Sequence, residues 1–197
     1  MDKMTLSFTF YGRMEYFIKK QQEIYPVSRE GMDKLLRDMV EVECKKGEII
    51  VREGQCNRNA YFVKQGLVRA YVEREDKDVT LWFATVGDMA VGGPGEVLTM
   101  TVEALEDSVL LKIPQTQLED LYCHSLELAN WGRKLLEKYL LEYEHYFIHY
   151  SWNDASEQYE MFLKANPELL QKVPLKHIAS YLQITPQSLS RIRAKNK

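Results

Sequence analysis

Between Cys44 and Ile113 glycine recurs at Gly47, Gly54, Gly66, Gly87, Gly92, Gly93 and Gly95, separating the short runs "EIIV", "AYFVK", "LVRAYVE", "VTLWFAT", "MTVEAL" and "SVLLKI". That punctuation leaves no room for a long helix. Short runs rich in β-branched and aromatic residues, divided by residues that tolerate left-handed backbone, predict an antiparallel β-roll or jelly-roll.

The flanks carry a different period. In "RMEYFIKKQQEIY", Arg13 to Tyr25, the residues Met14, Phe17, Ile18 and Ile24 fall on related faces of a helix that Pro26 ends. A second helix opens at Ser28, a good N-cap, and runs through "MDKLLRDMVEV". After Pro114, helix returns: from Thr116 to about Tyr150 there is no proline, and the one glycine is Gly132. Leu128, Trp131, Leu135, Tyr139, Tyr143, Tyr146 and Tyr150 step by three or four, and Leu136, Leu140 and Phe147 widen the stripe. One reading packs all of it on the chain's own roll. The width favours two clients, and the second is expected to be another copy of the chain, with a dimer seam through Leu128, Trp131, Leu135, Tyr139 and Tyr146. A further short helix, "SEQYEMFLKAN", ends at Pro167.

The class is therefore α+β: an antiparallel roll with flanking helices, a long dimerisation helix and a small helical end. A chain of 197 residues, 45% of them hydrophobic, can build such a core.

Charge is segregated. From Gln171 onward there are six basic side chains and no acidic one, so this end carries +6 while the whole chain carries −3 and residues 1–170 carry −9. That asymmetry points to an acidic body with a nucleic-acid-facing or membrane-facing end. Within that end Ile178, Ala179, Leu182, Ile184, Leu189 and Ile192 are spaced for two helices crossing at a tight turn. Ala179 supplies the small residue a close crossing needs, and Leu182 follows three positions on. Gln183 occupies the turn position that glycine usually holds, where left-handed backbone costs a non-glycine residue roughly 1 kcal/mol. Thr185 followed by Pro186 signals the start of the second helix.

With Leu189 and Ile192 inward, Gln187, Ser188, Ser190, Arg191 and Lys195 remain on the outer faces. Arginine can pair bidentately with guanine and glutamine with adenine in the major groove, while hydroxyls and lysine tips reach phosphates. The end of the chain is thus a predicted reader of double-stranded DNA. A solvated basic appendage is the alternative.

Other classes find little support. Cys44, Cys56 and Cys123 are dispersed, odd in number and form no C-x-x-C pair, which argues against a disulfide framework or zinc knuckle. The run "LSFTFY" is too short for a signal segment, and no window has the ~18 apolar residues a membrane span needs. We expect a cytoplasmic protein without membrane contact. There is no Gly-rich phosphate loop, G-x-S-x-G or H-E-x-x-H, and no histidine before His124, so an enzyme is not expected. Glu142, His145 and His149 have helical metal-ligand spacing, but such pairs on charged helices usually stay unliganded, and no metal is expected.

A helical lead-in, a glycine-punctuated roll, a long helix and a terminal helix pair, in that order, resemble the Crp/Fnr family of bacterial transcription regulators. "KKGEIIVREGQCNRNAYFVKQGLVRAYV" is similar to the first roll strands of that family, "GDMAVGG" to the entry of its phosphate-binding cassette, and "IASYLQITPQSLSRIR" to its DNA-reading helices. The chain is closest to the short Bacteroidetes form, which ends soon after the recognition helix without a β-wing. The resemblance implies an effector roll over 1–115, a dimerisation helix over 116–150 and a helix-turn-helix over 151–197. It further implies a homodimer on a palindromic operator with half-sites ~34 Å apart, and RNA polymerase as a further partner. Gln187, Ser190 and Arg191 would face base edges, Ser188 and Lys176 the phosphates, and Thr185 would cap the reading helix. An effector would lie against Gly87, Gly92, Gly93, Glu96, Leu98 and Thr99, with Tyr139 and Tyr143 from the long helix.

That effector is not expected to be cAMP. Relatives that bind cAMP place a Glu soon after the cassette glycine, where Gly93 stands, and an Arg several residues later. Here no basic residue occurs from Gly87 to Leu111. A buried phosphodiester lacking a cationic partner costs several kcal/mol. The remaining alternative function is a ligand-sensing or protein-interaction module whose helix pair does not read DNA.

Overall fold

The computed structural model describes residues 3–75, 77–92, 97–152 and 154–195, and the side chains of 12–75, 77–92, 97–148 and 154–195. Helix α1 (Lys3–Ile24) and helix α2 (Arg29–Arg37) precede eight strands. These are β1 (Val40–Cys44), β2 (Ile49–Val51), β3 (Asn59–Gln65), β4 (Val68–Arg74), β5 (Lys77–Ala84), β6 (Met89–Val91), β7 (Thr101–Ala104) and β8 (Ser108–Pro114). Six helices follow: α3 (Gln115–His124), α4 (Leu126–Trp152), α5 (Ala155–Ala165), α6 (Leu169–Lys172), α7 (Leu175–Tyr181) and α8 (Pro186–Lys195).

The strands form two four-stranded sheets, ordered β1-β8-β3-β6 and β2-β7-β4-β5. The pairs β1–β8, β3–β8, β3–β6 and β2–β7 are antiparallel, as the glycine punctuation predicts. Gly66 makes the turn from β3 to β4 at φ +100°, where a side chain would also meet Ser108.

Two boundaries differ from the sequence reading. The second helix stops at Arg37, and "VEVEC" becomes β1, paired along its length with β8. The alternation of Val40, Val42 and Cys44 with Glu41 and Glu43 is a strand period, and the α2 signal masked it. The helix after Pro114 is two helices, broken at Ser125, whose backbone is extended at φ −141°, ψ 104°. Ser28 caps α2 as expected, accepting from the Gly31 amide at 3.1 Å, and Glu127 of α4 accepts from the Ser28 amide and hydroxyl at 2.6 and 2.8 Å.

The chain divides into two compact units, Met1–Ala70 with Phe83–Lys138, and Tyr71–Trp82 with Tyr139–Lys197. The first holds most of the roll. Its core joins Phe17 of α1, Phe62 of β3 and Trp131 of α4, with ring centroids 6.3 and 5.9 Å apart. Tyr122 of α3 meets Trp131 at 6.5 Å. Lys64 and Arg69 are buried here and answered by Glu41 and Glu103, each pair at 2.5 Å. The second unit holds the end of the β4–β5 hairpin, the last part of α4, and α5 to α8.

Correcting the expected seam, Leu128, Trp131 and Leu135 are 0%, 0% and 2% exposed and belong to the core of the first unit. The sheet takes the row with the bulkiest aromatic, because Phe62 and Phe17 offer it a matching surface. Of the second row, Leu136, Leu140 and Phe147 are exposed, as is Tyr143 of the first. Leu136, Leu140, Tyr143 and Phe147 are 61–67% exposed and step by four, three and four, the spacing of a coiled-coil seam.

Candidate nucleic-acid interface and effector roll

The basic end folds as two helices around the predicted crossing. Ile178, Ala179, Leu182 and Leu189 are all buried, Ala179 at 1% exposure, so the small side chain lies within the packed interior of the helix pair. Gln183 adopts left-handed backbone at φ 52°. The turn is closed by Ile184 N–H to Ala179 O at 2.9 Å and Gln183 N–H to Ser180 O at 3.0 Å. Thr185 caps α8 as expected, its hydroxyl accepting from the Ser188 amide at 3.1 Å.

That packing decides which side chains are free to read. Gln187, Ser190, Arg191, Lys195 and Lys176 are exposed; Ser188 is half-buried, and the Thr185 hydroxyl, engaged with Ser188, serves the turn. Below the pair, Tyr181 of α7 lies against Tyr146 of α4 at 5.3 Å and Phe162 of α5 at 5.4 Å. Burial, with Tyr146 and Glu142 close by, holds the Tyr181 hydroxyl well above the ordinary phenol range. Tyr146, expected at the seam, is thereby half-buried within its own unit and donates toward Tyr181 O at 3.4 Å.

The roll contains a cavity of about 490 Å³ that the sequence reading did not foresee. Its apolar wall is Ile50, Val51, Leu98 and Tyr61, and its polar wall is Gln55, Cys56, Asn57, Arg58 and Asn59. Leu98 arrives there because the segment entering β7 is laced to the β2–β3 loop: Gly54 N–H donates to Leu98 O at 2.8 Å, Leu98 N–H to Gln55 O at 2.9 Å, and Cys56 bridges Val97.

Of the expected effector residues, Leu98 alone among those described lines this cavity. Gly87, at φ +96°, lies instead beneath α1: Gln21 Nε2 donates to its carbonyl at 2.7 Å and the Lys20 stem covers its α-carbon. The side chain of Met89 fills the space beside Gly92. Thr99 is exposed, Tyr143 is 67% exposed and Tyr139 is half-buried. Gly93 and Glu96 lie outside the described residues, as does the His149 side chain. Among the described residues no group of three or more His, Cys, Asp or Glu could hold a metal, and no helix is long and apolar enough to cross a membrane.

Residues 41–124 match the family described as the cyclic nucleotide-binding domain. That match spans the roll, from β1 to β8, together with α3. The fold of the chain is that of the Crp/Fnr regulators: FixK2 from Bradyrhizobium japonicum superposes with a TM-score of 0.72 at 20% identity, covering 80% of this chain and 83% of its own. A Crp/Fnr-family transcriptional regulator from Eubacterium rectale gives 0.64 at 18% identity, covering 86% and 85%. Likeness at these identities is one of fold. A curated relative, the Pycsar effector protein BcPycTIR from Burkholderia cepacia, is 27% identical over 142 residues, 72% of this chain. The match covers 45% of that relative, so this chain spans less than half its length.

Proposed function

We propose that this chain is a homodimeric, sequence-specific DNA-binding transcriptional regulator of the Crp/Fnr type, governed by a small effector held in its roll. The observation that carries the reading is the packing of α7 and α8 with Ala179 buried and Gln187, Ser190 and Arg191 exposed, on an end with no acidic side chain. Those are the donors and acceptors that major-groove base edges require. Lys176 and Lys195 supply phosphate contacts, and Leu136, Leu140, Tyr143 and Phe147 supply the seam. Two copies would then place two reading helices on a palindromic operator, with RNA polymerase as the further partner in a cytoplasmic setting. The reading assigns no catalysis to the chain and keeps cAMP out of the roll, because the cassette offers its phosphate no cation.

A second reading is favoured by the curated relative, itself an effector protein: a ligand-sensing module whose helix pair serves a protein contact. Mobility-shift titration with DNA from upstream of the chain's own gene, repeated from low to high salt, separates the two. A regulator loses affinity steeply and log-linearly with salt as phosphate counterions return. A sensing module shows no retarded complex at any salt.

A further inference from the structure

The cation missing from the cassette has a counterpart in the lining of the cavity. Arg58 lines it, and its guanidinium has no hydrogen bond or ion pair among the described residues. Among the described residues no carboxylate lines the cavity. An exposed guanidinium on the lining of an open cavity, with no acid paired to it among the described residues, is a ready seat for an anionic head, since it offers paired N–H donors in one plane.

The neighbouring polar groups sort into engaged and open. Asn57 is consumed by its own turn: its Nδ2 donates to Asn59 O at 2.5 Å, and its Oδ1 accepts from the Asn59 amide at 3.2 Å. The Asn59 side chain lies by the Tyr61 hydroxyl and draws its pKa down, against the larger upward push of burial. Gln55 carries no side-chain hydrogen bond among the described residues, so its amide is open beside Arg58. Ile50, Val51 and Leu98 add a hydrocarbon surface to the same lining. The volume lies within the range of small-molecule sites.

We infer that the cavity binds an amphipathic organic monoanion, its carboxylate held by Arg58 and Gln55 and its hydrocarbon body laid against Ile50, Val51 and Leu98. The inference rests on the reading of the roll as an effector-binding module and names the class of that effector.

Octanoate and its neutral isostere octanamide test the charge requirement by calorimetric titration of the full chain. Octanoate is expected to bind saturably at one site per chain. Octanamide, and octanoate with the Arg58→Gln variant, should bind about tenfold or more weakly. Arg58 is exposed, so a circular dichroism spectrum should verify an unchanged fold. Cys56, in the same wall, gives an independent readout against Cys123, which is exposed and lies outside the cavity. Anionic iodoacetate, relative to neutral iodoacetamide, should label Cys56 preferentially over Cys123, by a factor of about three or more, and Arg58→Gln should erase the preference. Octanoate should slow labelling of Cys56 and leave Cys123 unchanged. Absence of saturable octanoate binding, equal binding of octanamide, or equal labelling preference at the two cysteines would overturn the inference. Neither assay contains DNA, so failure here leaves the regulator reading standing, and a failed mobility shift leaves this one.

Discussion

Ser180 of α7 is hydrogen-bonded in both senses to β5: its hydroxyl accepts from the Thr80 amide at 2.9 Å and donates to the Asp78 carbonyl at 2.6 Å. One side chain thus ties the first helix of the candidate reading pair to the end of the β4–β5 hairpin, within one compact unit. Each of those strands also runs into the other unit, which makes the hairpin a covalent path between roll and helix pair. Ser180→Ala removes the donor and the acceptor together. The expected cost is ~1–2 kcal/mol of stability, with faster amide exchange at Thr80. Hydrogen exchange resolved by residue checks it, and unchanged protection at Thr80 would show that the hydroxyl holds nothing.

Gly132 sets two effects against each other. Alanine in a helix interior normally gains about 1 kcal/mol over glycine. Here an added Cβ would meet Tyr122 Cζ at 2.6 Å and Oη at 2.7 Å, in a ring packed against Trp131. Overpacking of this kind costs ~1–3 kcal/mol, so Gly132→Ala should lower the melting temperature. A thermal denaturation curve decides the sign.

The two rows of α4 predict different failures. Leu140→Glu, on the row 61–67% exposed, should convert a dimer to a folded monomer in sizing experiments at micromolar concentration. Leu135→Glu buries a carboxylate in the core at a site 2% exposed and should instead unfold the first unit. If Leu140→Glu leaves the oligomeric state unchanged, the seam lies elsewhere.

Burial pushes the Tyr122 hydroxyl up to about 12 from its ordinary 10. Between those values the unfolded chain loses a proton that the folded chain retains, so stability falls as pH rises. The contribution is complete below pH 10 and lost progressively toward pH 12. Chemical denaturation of wild type and Tyr122→Phe across that interval should show the steeper decline in wild type.

Much of this architecture is legible in the residues. The glycine punctuation names the strands β2 to β5, β7 and β8, and Ala179, Gln183 and Thr185 name the crossing, because each answers a local steric demand. What escapes is decided over distance. Strand β6 is a three-residue run beside Gly92, too short for a visible period. The choice between two apolar rows on α4 depends on where Phe62 and Phe17 lie, which no helical period encodes. Arg58 is an ordinary loop cation in sequence, and the lacing of Leu98 to Gln55, which brings Leu98 to the same cavity, joins segments over forty residues apart.

The central claim is that the exposed face of α8 reads base edges, and Arg191 tests it most directly. Fluorescence anisotropy should compare wild type with Arg191→Ala on the duplex selected by wild type from a random pool, and on a scrambled duplex. The account predicts a loss of ~1–3 kcal/mol on the selected duplex, little change on the scrambled one, and an unaltered melting curve. Equal affinity of both proteins for the selected duplex, or failure of wild type to prefer it, would contradict the account.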